Sequence, residues 1–326
     1  RENALPPDDP LIARSVDYLA NLLSDMDEDE AARPLFERAL GIRERTLPPN
    51  HLDLAESLNG MANFLLKRGD YDAARPCYTR ALEIRELNLG RRHPSVGVSL
   101  NNLAVLLHSK GDSVGARPLY ERSLAIREET LGRDHPLVAN TLENLGHLLQ
   151  GMGDFEAARP LFERALAIHV KTAGADHPDM AWSLDYLADL FLATGDFKSA
   201  RRFYERALLL RETAFGPDDP DVALSLSSMA SLHLAAGEPA AARPLCERAL
   251  AIQRRTLGNE HPYVASSLGL LRRVQATVLK HSKREDGLLQ ALSVRARADE
   301  DQVIAAIQLP SSTSIRARSW RSQISE

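Results

Sequence analysis

The residues that could do chemistry are few, and they recur at a fixed interval. Histidine precedes proline at His93, His135, His177 and His261, and these positions differ by 42 residues or a multiple of 42. Histidine is the commonest metal ligand, so such a series raises the question of a metal site. Copies at equal spacing occupy equivalent places on successive units and do not converge on one point. We therefore predict that these histidines begin helices.

Other signatures of catalysis are absent from the sequence. It contains no Gly-rich phosphate loop, no His-Glu-x-x-His zinc motif and no nucleophile elbow around a serine. The two cysteines, Cys77 and Cys246, replace apolar or aromatic residues of a repeating pattern, which indicates buried packing rather than reactivity. We predict a protein that has no catalytic activity, no metal and no cofactor.

The composition of the chain limits its partners. The 326 residues include 40 Lys and Arg against 45 Asp and Glu, so the massed positive charge of a nucleic-acid binder is missing. No apolar run approaches the length of a membrane span. Two cysteines cannot build a disulfide framework, which fits a reducing compartment. We expect a cytoplasmic protein with no membrane insertion, whose partners are proteins or peptides rather than nucleic acid.

Three sequence markers repeat every 42 residues, and they reveal the elements that must position any site. The first is Arg-Pro or a variant at Arg33, Arg75, Arg117, Arg159, Arg201 and Arg243. The second is His-Pro, Asp-Pro or a variant at Asp9, His51, His93, His135, His177, Asp219 and His261. The third is Gly-Asp or Gly-Glu at Gly69, Gly111, Gly153, Gly195 and Gly237. A fixed period of this length is the signature of a repeat architecture.

Each 42-residue unit predicts two antiparallel helices, which we call A and B. Proline suits the first turn of helix A, and the Asp or His before it can cap the helix. Within helix A, Leu100, Leu103 and Leu107 recur at helical spacing. Gly111 supplies the turn, and helix B follows until Gly132 ends it.

Small residues recur where the two helices of a unit must approach closely. The three small slots hold Ala32, Ala74, Ala116, Ala158, Ala200, Ala242; Ala20, Ala62, Ala104, Gly146, Ala188, Ala230; and Ala39, Ala81, Ser123, Ala165, Ala207, Ala249. The slot opposite them is large and holds Phe36, Tyr78, Tyr120, Phe162, Tyr204 and Cys246. Small residues against large ones allow facing helices to interdigitate.

These slots carry a resemblance to a known family. Small residues at three fixed positions, a ring in helix B and Gly-Asp at the turn resemble the tetratricopeptide repeat, although that repeat usually has about 34 residues. The longer unit, with Leu-Gly-x-x-His-Pro and with Ser-Leu-Asn-Asn-Leu-Ala at 99–104, resembles the repeats of kinesin light chain and nephrocystin-3. The resemblance implies an all-α, right-handed α-solenoid with six full repeats and a degenerate seventh.

The repeat register divides the chain into four parts. Residues 1–8 are a lead-in, 9–282 form the superhelix, 283–309 form a capping helix region, and 310–326 form a Ser/Arg-rich tail that we expect to be disordered. Leu288, Ala291 and Leu292 match helix-B positions, which predicts a degenerate last helix B. In the tail, Arg316 lies three residues before Ser319, a spacing that basophilic kinases accept. Because the chain begins at Arg1 rather than Met, we expect it to be a fragment.

The resemblance implies that the A helices line a concave groove that binds a peptide. Carried onto this sequence, the candidate groove residues are Asn59, Asn63, Asn101, Asn102, Glu143, Asn144, His147, Trp182, Asp185, Tyr186 and Asp189. Amide side chains at these slots can pair with the backbone of an extended peptide. The Lys/Arg clamp that some relatives use for a terminal carboxylate is missing there.

The acidic and aromatic residues of units four and five leave two interpretations open. The first is an ordinary solvated surface. The second is a patch for basic or aromatic peptide side chains, in which exposed Glu143, Asp185 and Asp189 select a neutral to basic ligand. A carboxylate–histidine metal site is disfavoured, because ligand spacing alone does not supply a closed geometry.

For function, the resemblance predicts a non-catalytic interaction scaffold like the cargo-binding region of kinesin light chain. Association with a motor or the cytoskeleton follows from the family alone, because that family's heptad segment would lie before Arg1. Two alternatives stay open. One is a structural adaptor of the cilium or cytoskeleton resembling nephrocystin-3, and the other is the sensor arm of a larger signalling enzyme.

Overall fold

The computed structural model describes Pro6 and residues 8–307, with side-chain surroundings up to residue 284. Thirteen α-helices and no strand occur in this part of the chain. The A helices are α1 (Pro10–Asp25), α3 (Leu52–Lys67), α5 (Pro94–Ser109), α7 (Pro136–Gly151), α9 (Met180–Ala193), α11 (Pro220–Ala235) and α13 (Pro262–Ile307). The B helices are α2 (Asp29–Thr46), α4 (Tyr71–Leu89), α6 (Ser113–Leu131), α8 (Phe155–Ala173), α10 (Phe197–Phe215) and α12 (Pro239–Leu257). The Ser/Arg-rich tail with Ser319, and most of the lead-in, lie outside the described residues.

Each A helix packs on its own B helix and then on the next unit, which confirms the predicted all-α solenoid of helix pairs. Remote units make no substantial contact among the described helices, so each unit is stabilised mainly by its neighbours. None of these helices combines the length and the apolarity that crossing a membrane requires.

The helix starts follow the predicted capping chemistry. The ring nitrogen Nδ1 of His93 accepts a hydrogen bond from the N–H of Ser95 at 3.2 Å, and Nδ1 of His135 accepts from the N–H of Leu137 at 3.1 Å. The Asp of the Gly-Asp marker has a matching role at helix B, since Asp112 accepts from the N–H of Gly115 at 2.9 Å. The repeated histidines therefore satisfy helix-end N–H groups that would otherwise lack a partner.

One helix begins later than its sequence predicts. Pro178 should open α9, but the helix begins at Met180. The first bonds there join Met180 to His177 and Ala181 to Pro178, three residues apart in each case. This tighter, 3₁₀-type turn replaces the first α-helical turn.

The small and large slots form the core of each unit. The alanines of the three small slots are fully buried, and the rings of Phe36, Tyr78, Tyr120, Phe162 and Tyr204 are at most 1% exposed. Gly146 stands where the other full units have alanine in the same small slot. A Cβ at Gly146 would lie 2.7 Å from the ring of Phe162, so this position has no room for a methyl group. Cys246 is buried and Cys77 partly buried, and burial raises the pKa of both thiols.

The last unit differs from the prediction of a degenerate helix pair. Helix α13 runs without a turn from Pro262 to Ile307, so no separate helix B forms around Leu288. The physical reason is visible at the turn marker. Leu279 occupies the position 42 residues after Gly237, where units two to six have glycine and unit one has Asp27. Every glycine of that marker has a positive φ, which leucine adopts only with strain.

Candidate functional site

The A helices lie on the inner side of the curved stack. Most successive A helices touch each other, whereas successive B helices of the described chain make at most slight contact. A stack whose A sides are closer together curves toward them. We call the inner surface of α3, α5, α7 and α9 the groove. All eleven predicted site residues lie on these four helices.

The groove asparagines form bonded pairs that bridge neighbouring A helices. Asn102 Nδ2 donates to Asn59 Oδ1 at 3.0 Å, from α5 to α3. Asn144 Nδ2 donates to Asn101 Oδ1 at 3.3 Å, from α7 to α5. Asn63 is exposed, and its Oδ1 accepts from the hydroxyl of Tyr78 at 2.6 Å. We call the first four residues the asparagine ladder.

The ladder keeps hydrogen-bonding capacity for a ligand. An amide side chain has two N–H donors and a carbonyl acceptor, and each ladder bond uses one N–H and one lone pair. Asn59, which accepts within the ladder, is half-buried and retains its amino group, whereas Asn101 also accepts but is buried, at 6% exposure. Asn102 and Asn144, which donate, retain their carbonyl oxygens. Donors and acceptors alternate along the peptide backbone as well, so the ladder and an extended peptide are chemically matched.

The predicted exposure of the acidic residues is wrong. The side chain of Asp185 is only 15% exposed, and its Oδ2 lies 2.5 Å from Nη1 of Arg211. Asp189 accepts a hydrogen bond from the hydroxyl of Tyr204. Glu143 is buried, accepts from the hydroxyl of Ser183, and lies 3.3 Å from Nε2 of His169. These carboxylates are engaged inside the protein, so the prediction that they select a basic ligand loses its basis.

Burial also changes the proton affinity of these groups. Loss of hydration raises the pKa of Asp185 to about 6, because it outweighs the attraction of Arg211. Burial likewise raises the pKa of Asp189, against the opposing hydrogen bond from Tyr204. The hydrogen bond to Glu143 raises the pKa of His169. Asp185 is therefore still ionised at neutral pH, and its negative charge is balanced by Arg211 rather than removed by protonation.

A slot on the B helices, which the sequence analysis missed, lies behind the groove. It holds Arg43, Arg85, Arg127, His169, Arg211 and Gln253, and its 42-residue spacing was the signal that could have revealed it. All four of its arginines donate to the hydroxyl fourteen residues later, namely Arg43 to Ser57, Arg85 to Ser99, Arg127 to Thr141 and Arg211 to Ser225. We call this series the buried basic slot.

The buried basic slot is matched by acids only in some units. Arg43 lies 2.9 Å from Asp17, and Arg211 is paired with Asp185 as described above. In units two and three, the positions equivalent to Asp17 are Asn59 and Asn101, so the ladder replaces the acids. Burial without a carboxylate lowers the pKa of Arg127 to about 10. Uncompensated positive charge therefore lies beneath the asparagine ladder.

Aromatic side chains continue the groove beyond the ladder. The ring centroid of His147 lies 5.3 Å from that of His108 and 5.9 Å from that of Tyr186. Tyr186 stacks on Phe162 with centroids 5.4 Å apart. Trp182 is 46% exposed, and the guanidinium carbon of Arg211 lies 4.8 Å from its ring centroid. This aromatic row presents rigid apolar surface beside polar groups, which suits peptide side chains.

Within the side chains that the structure describes, no group of three or more His, Cys, Asp or Glu residues is arranged to hold a metal ion. The groove thus provides hydrogen-bonding amides, aromatic faces and buried positive charge.

Comparison with known proteins identifies the repeat. One model of the tetratricopeptide repeat matches residues 53–129, 95–169 and 137–213, and a second matches residues 12–53 and 222–263. These matches cover most of the chain. The chain belongs to the tetratricopeptide repeat family. Among curated proteins, none matches it significantly.

Solved tetratricopeptide-type structures have the same fold. Nearly identical TPR-like repeats of a protein assigned as a kinesin light chain in Podosopora anserina are 26% identical, with a TM-score of 0.54 over 64% of this chain and 97% of that one. BtubC (BKLC) of P. vanneervenii is 24% identical, with a TM-score of 0.56 over 78% of this chain and 92% of that one. The apo quorum sensor NprR of B. thuringiensis is 15% identical, with a TM-score of 0.61 over 80% of this chain and 69% of that one. The last two show the fold alone.

Proposed function

We propose that this tetratricopeptide repeat protein is a non-catalytic scaffold that binds an extended peptide segment of a partner protein in its groove. The observation that carries the proposal is the asparagine ladder. Its remaining amide donors and acceptors are presented on three successive A helices, where a peptide backbone laid along the groove can pair with them. The aromatic row supplies contacts for the side chains of the peptide.

The similarity to kinesin light chain repeats supports a cargo-binding role, with a cytoplasmic location and a motor or cytoskeletal complex as part of the proposal. An adaptor of the cilium resembling nephrocystin-3 has no separate observation in its favour. The sensor-arm alternative has only the fold shared with NprR behind it. We therefore place the cargo-binding role first.

The test starts from random peptides displayed on phage and selected on the immobilised chain. Affinities of the selected peptides are then measured for the wild type and for Asn102→Ala, His147→Ala and Glu121→Ala. Asn102→Ala removes a carbonyl acceptor from the groove, and we expect affinity to fall about threefold to tenfold, the usual contribution of one hydrogen bond. His147→Ala removes an exposed ring of the aromatic row and should also weaken binding.

The control is Glu121→Ala, which removes an exposed glutamate on the B-helix face that is paired only with Arg117. It should leave affinity unchanged, because exposed ion pairs of this kind contribute little. Peptides that lose affinity with Glu121→Ala, and not with the groove variants, would assign binding to the outer B-helix face and refute the proposal.

A further inference from the structure

An open pocket of about 400 Å³ lies between α11 and α13, beyond the predicted groove residues. Five hydroxyl groups and one guanidinium line it, from Ser227, Ser228, Ser231, Ser266, Ser267 and Arg273. We call it the serine pocket. It occupies the C-terminal end of the inner A-helix surface, where the sequence analysis assigned no ligand.

The serine pocket exists because unit six has lost its large polar side chains. Where units four and five have Glu143 and Asp185, unit six has Ser227. The buried basic slot behind it holds Gln253, which is shorter than the arginines of units one, two, three and five. Gln253 is 1% exposed, and its Oε1 is buried without a hydrogen-bond partner among the described residues. By the repeat register, the hydroxyl that an arginine here would reach is that of Ser267, which lines the pocket.

Of the pocket's five hydroxyls, three already use their O–H within the protein and two are free to donate to a ligand. Ser227 and Ser231 donate to backbone carbonyls one turn earlier, and the Ser227 and Ser267 hydroxyl oxygens lie 3.3 Å apart. In the part of the chain that the structure describes, the hydroxyls of Ser228 and Ser266 have no partner and remain available to donate.

Arg273 is the one charged residue among those that line the pocket. Arg273 is exposed and forms no ion pair with any described residue. Between residues 262 and 284, α13 contains five Lys and Arg residues and no Asp or Glu. In the neighbouring unit, Asp185 is paired with Arg211, and Asp189 is bonded to Tyr204. An incoming anion therefore meets a guanidinium that has no competing carboxylate.

We propose that the serine pocket binds an oxyanion, a carboxylate or a phosphate, carried by a side chain of the bound peptide. A guanidinium offers a planar fork of N–H donors that matches two oxygens of such a group. The hydroxyls of Ser228 and Ser266 donate to its remaining lone pairs. The proposal rests on the proposed function only in that a groove-bound peptide delivers the anion. The binding of the anion itself requires nothing but the pocket.

The test uses the full ¹⁵N-labelled chain titrated separately with inorganic phosphate and with acetate, at an ionic strength held constant with chloride. We expect saturable shifts confined to backbone amides of the pocket, such as those of Ser228, Ser267 and Gly269. Arg273→Met should weaken binding about tenfold or more, since hydrogen bonds between charged groups contribute that much. The matched control is Arg272→Met, an exposed cation one residue away that does not line the pocket.

Each result decides the question. Tighter binding of phosphate indicates a phosphorylated side chain, and tighter binding of acetate indicates an acidic one. Equal weakening by Arg272→Met and Arg273→Met would show a diffuse charge effect and overturn the site, as would the absence of saturable shifts with both anions. The groove variants Asn102→Ala and His147→Ala should leave anion titrations unchanged, so failure of the proposed function and failure of this site are distinguishable.

Discussion

The buried basic slot predicts that the same substitution destabilises one unit strongly and another only slightly. Arg127 and Arg211 are both buried and both donate to a hydroxyl on the next A helix. Arg211 is paired with Asp185, whereas Arg127 has no carboxylate partner in the described chain. We therefore compare Arg127→Met with Arg211→Met, a change that keeps the long side chain and removes the charge.

The structure sets the size of each effect. Burial lowers the pKa of Arg127 to about 10 from 12.5, and at about 1.4 kcal/mol per pH unit this means that the buried charge costs about 3 kcal/mol at neutral pH. Its hydrogen bonds to Leu137 O and Thr141 Oγ1 together contribute about 3 kcal/mol in the opposite direction. The two effects nearly cancel. The free energy of unfolding should change by less than about 2 kcal/mol, because Thr141 keeps its own bond to Leu137 O.

Arg211→Met should be far more harmful. It leaves the Asp185 carboxylate buried without its partner, and breaking such a pair typically costs about 3–5 kcal/mol. Adding Asp185→Asn to Arg211→Met removes the orphaned charge, so the double variant should recover most of the loss.

The assay is urea unfolding followed by circular dichroism, with hydrogen exchange of α6 and α10 amides, because repeat arrays open locally. Equal destabilisation by Arg127→Met and Arg211→Met would refute the reasoning. So would a double variant that is no more stable than Arg211→Met alone.

Three further predictions concern packing and pH. Ala116→Trp overpacks a fully buried slot and should lower the free energy of unfolding by at least about 1–3 kcal/mol. Ala125→Trp, on the exposed side of the same helix, should leave it nearly unchanged. Equal melting temperatures of the two variants would contradict the slot assignment. Gly146→Ala should lower the melting temperature, because its Cβ would clash with a buried ring. Gly151→Ala meets open space on the same helix and should preserve or raise the melting temperature. A lower melting temperature for Gly151→Ala than for Gly146→Ala would disprove the close packing. His169 has a raised pKa in the folded state, so its stabilising effect is full below its unfolded pKa and is lost as pH rises through the folded value. The urea midpoints of wild type and His169→Gln should therefore converge with rising pH, and parallel profiles would rule out this linkage.

The fold could be predicted from the sequence because helix packing depends on side-chain size at fixed positions. Alanine at three slots and a ring at the fourth specify how close two helices lie, and a 42-residue register repeats that specification. Where the register loses a marker, the prediction also fails in an understandable way. Leu279 replaces a turn glycine, and α13 accordingly continues instead of turning back.

The candidate site could be predicted only in part. Helical periodicity places Asn102 and Asp185 on the inner face, but it does not reveal which side chain from another helix reaches them. Arg211 lies 26 residues after Asp185, on the B helix of the same unit, and its long side chain covers the carboxylate. The exposure of Asp185 was therefore wrongly predicted, although its position on the helix was right.

Charge along the groove depends on the combination of residues at two slots, one on helix A and one on helix B. Where helix A has an acid, as at Asp17 and Asp185, an arginine of helix B pairs with it, and the local charge is balanced. Where helix A has asparagine, the cation remains, and the neutral ladder lies above it. In unit six both partners are gone, and a serine-lined opening remains in their place. Because the alanines and rings that pack the helices lie at other positions, these two slots can change the charge of each section of the groove without altering the packing that holds the array together.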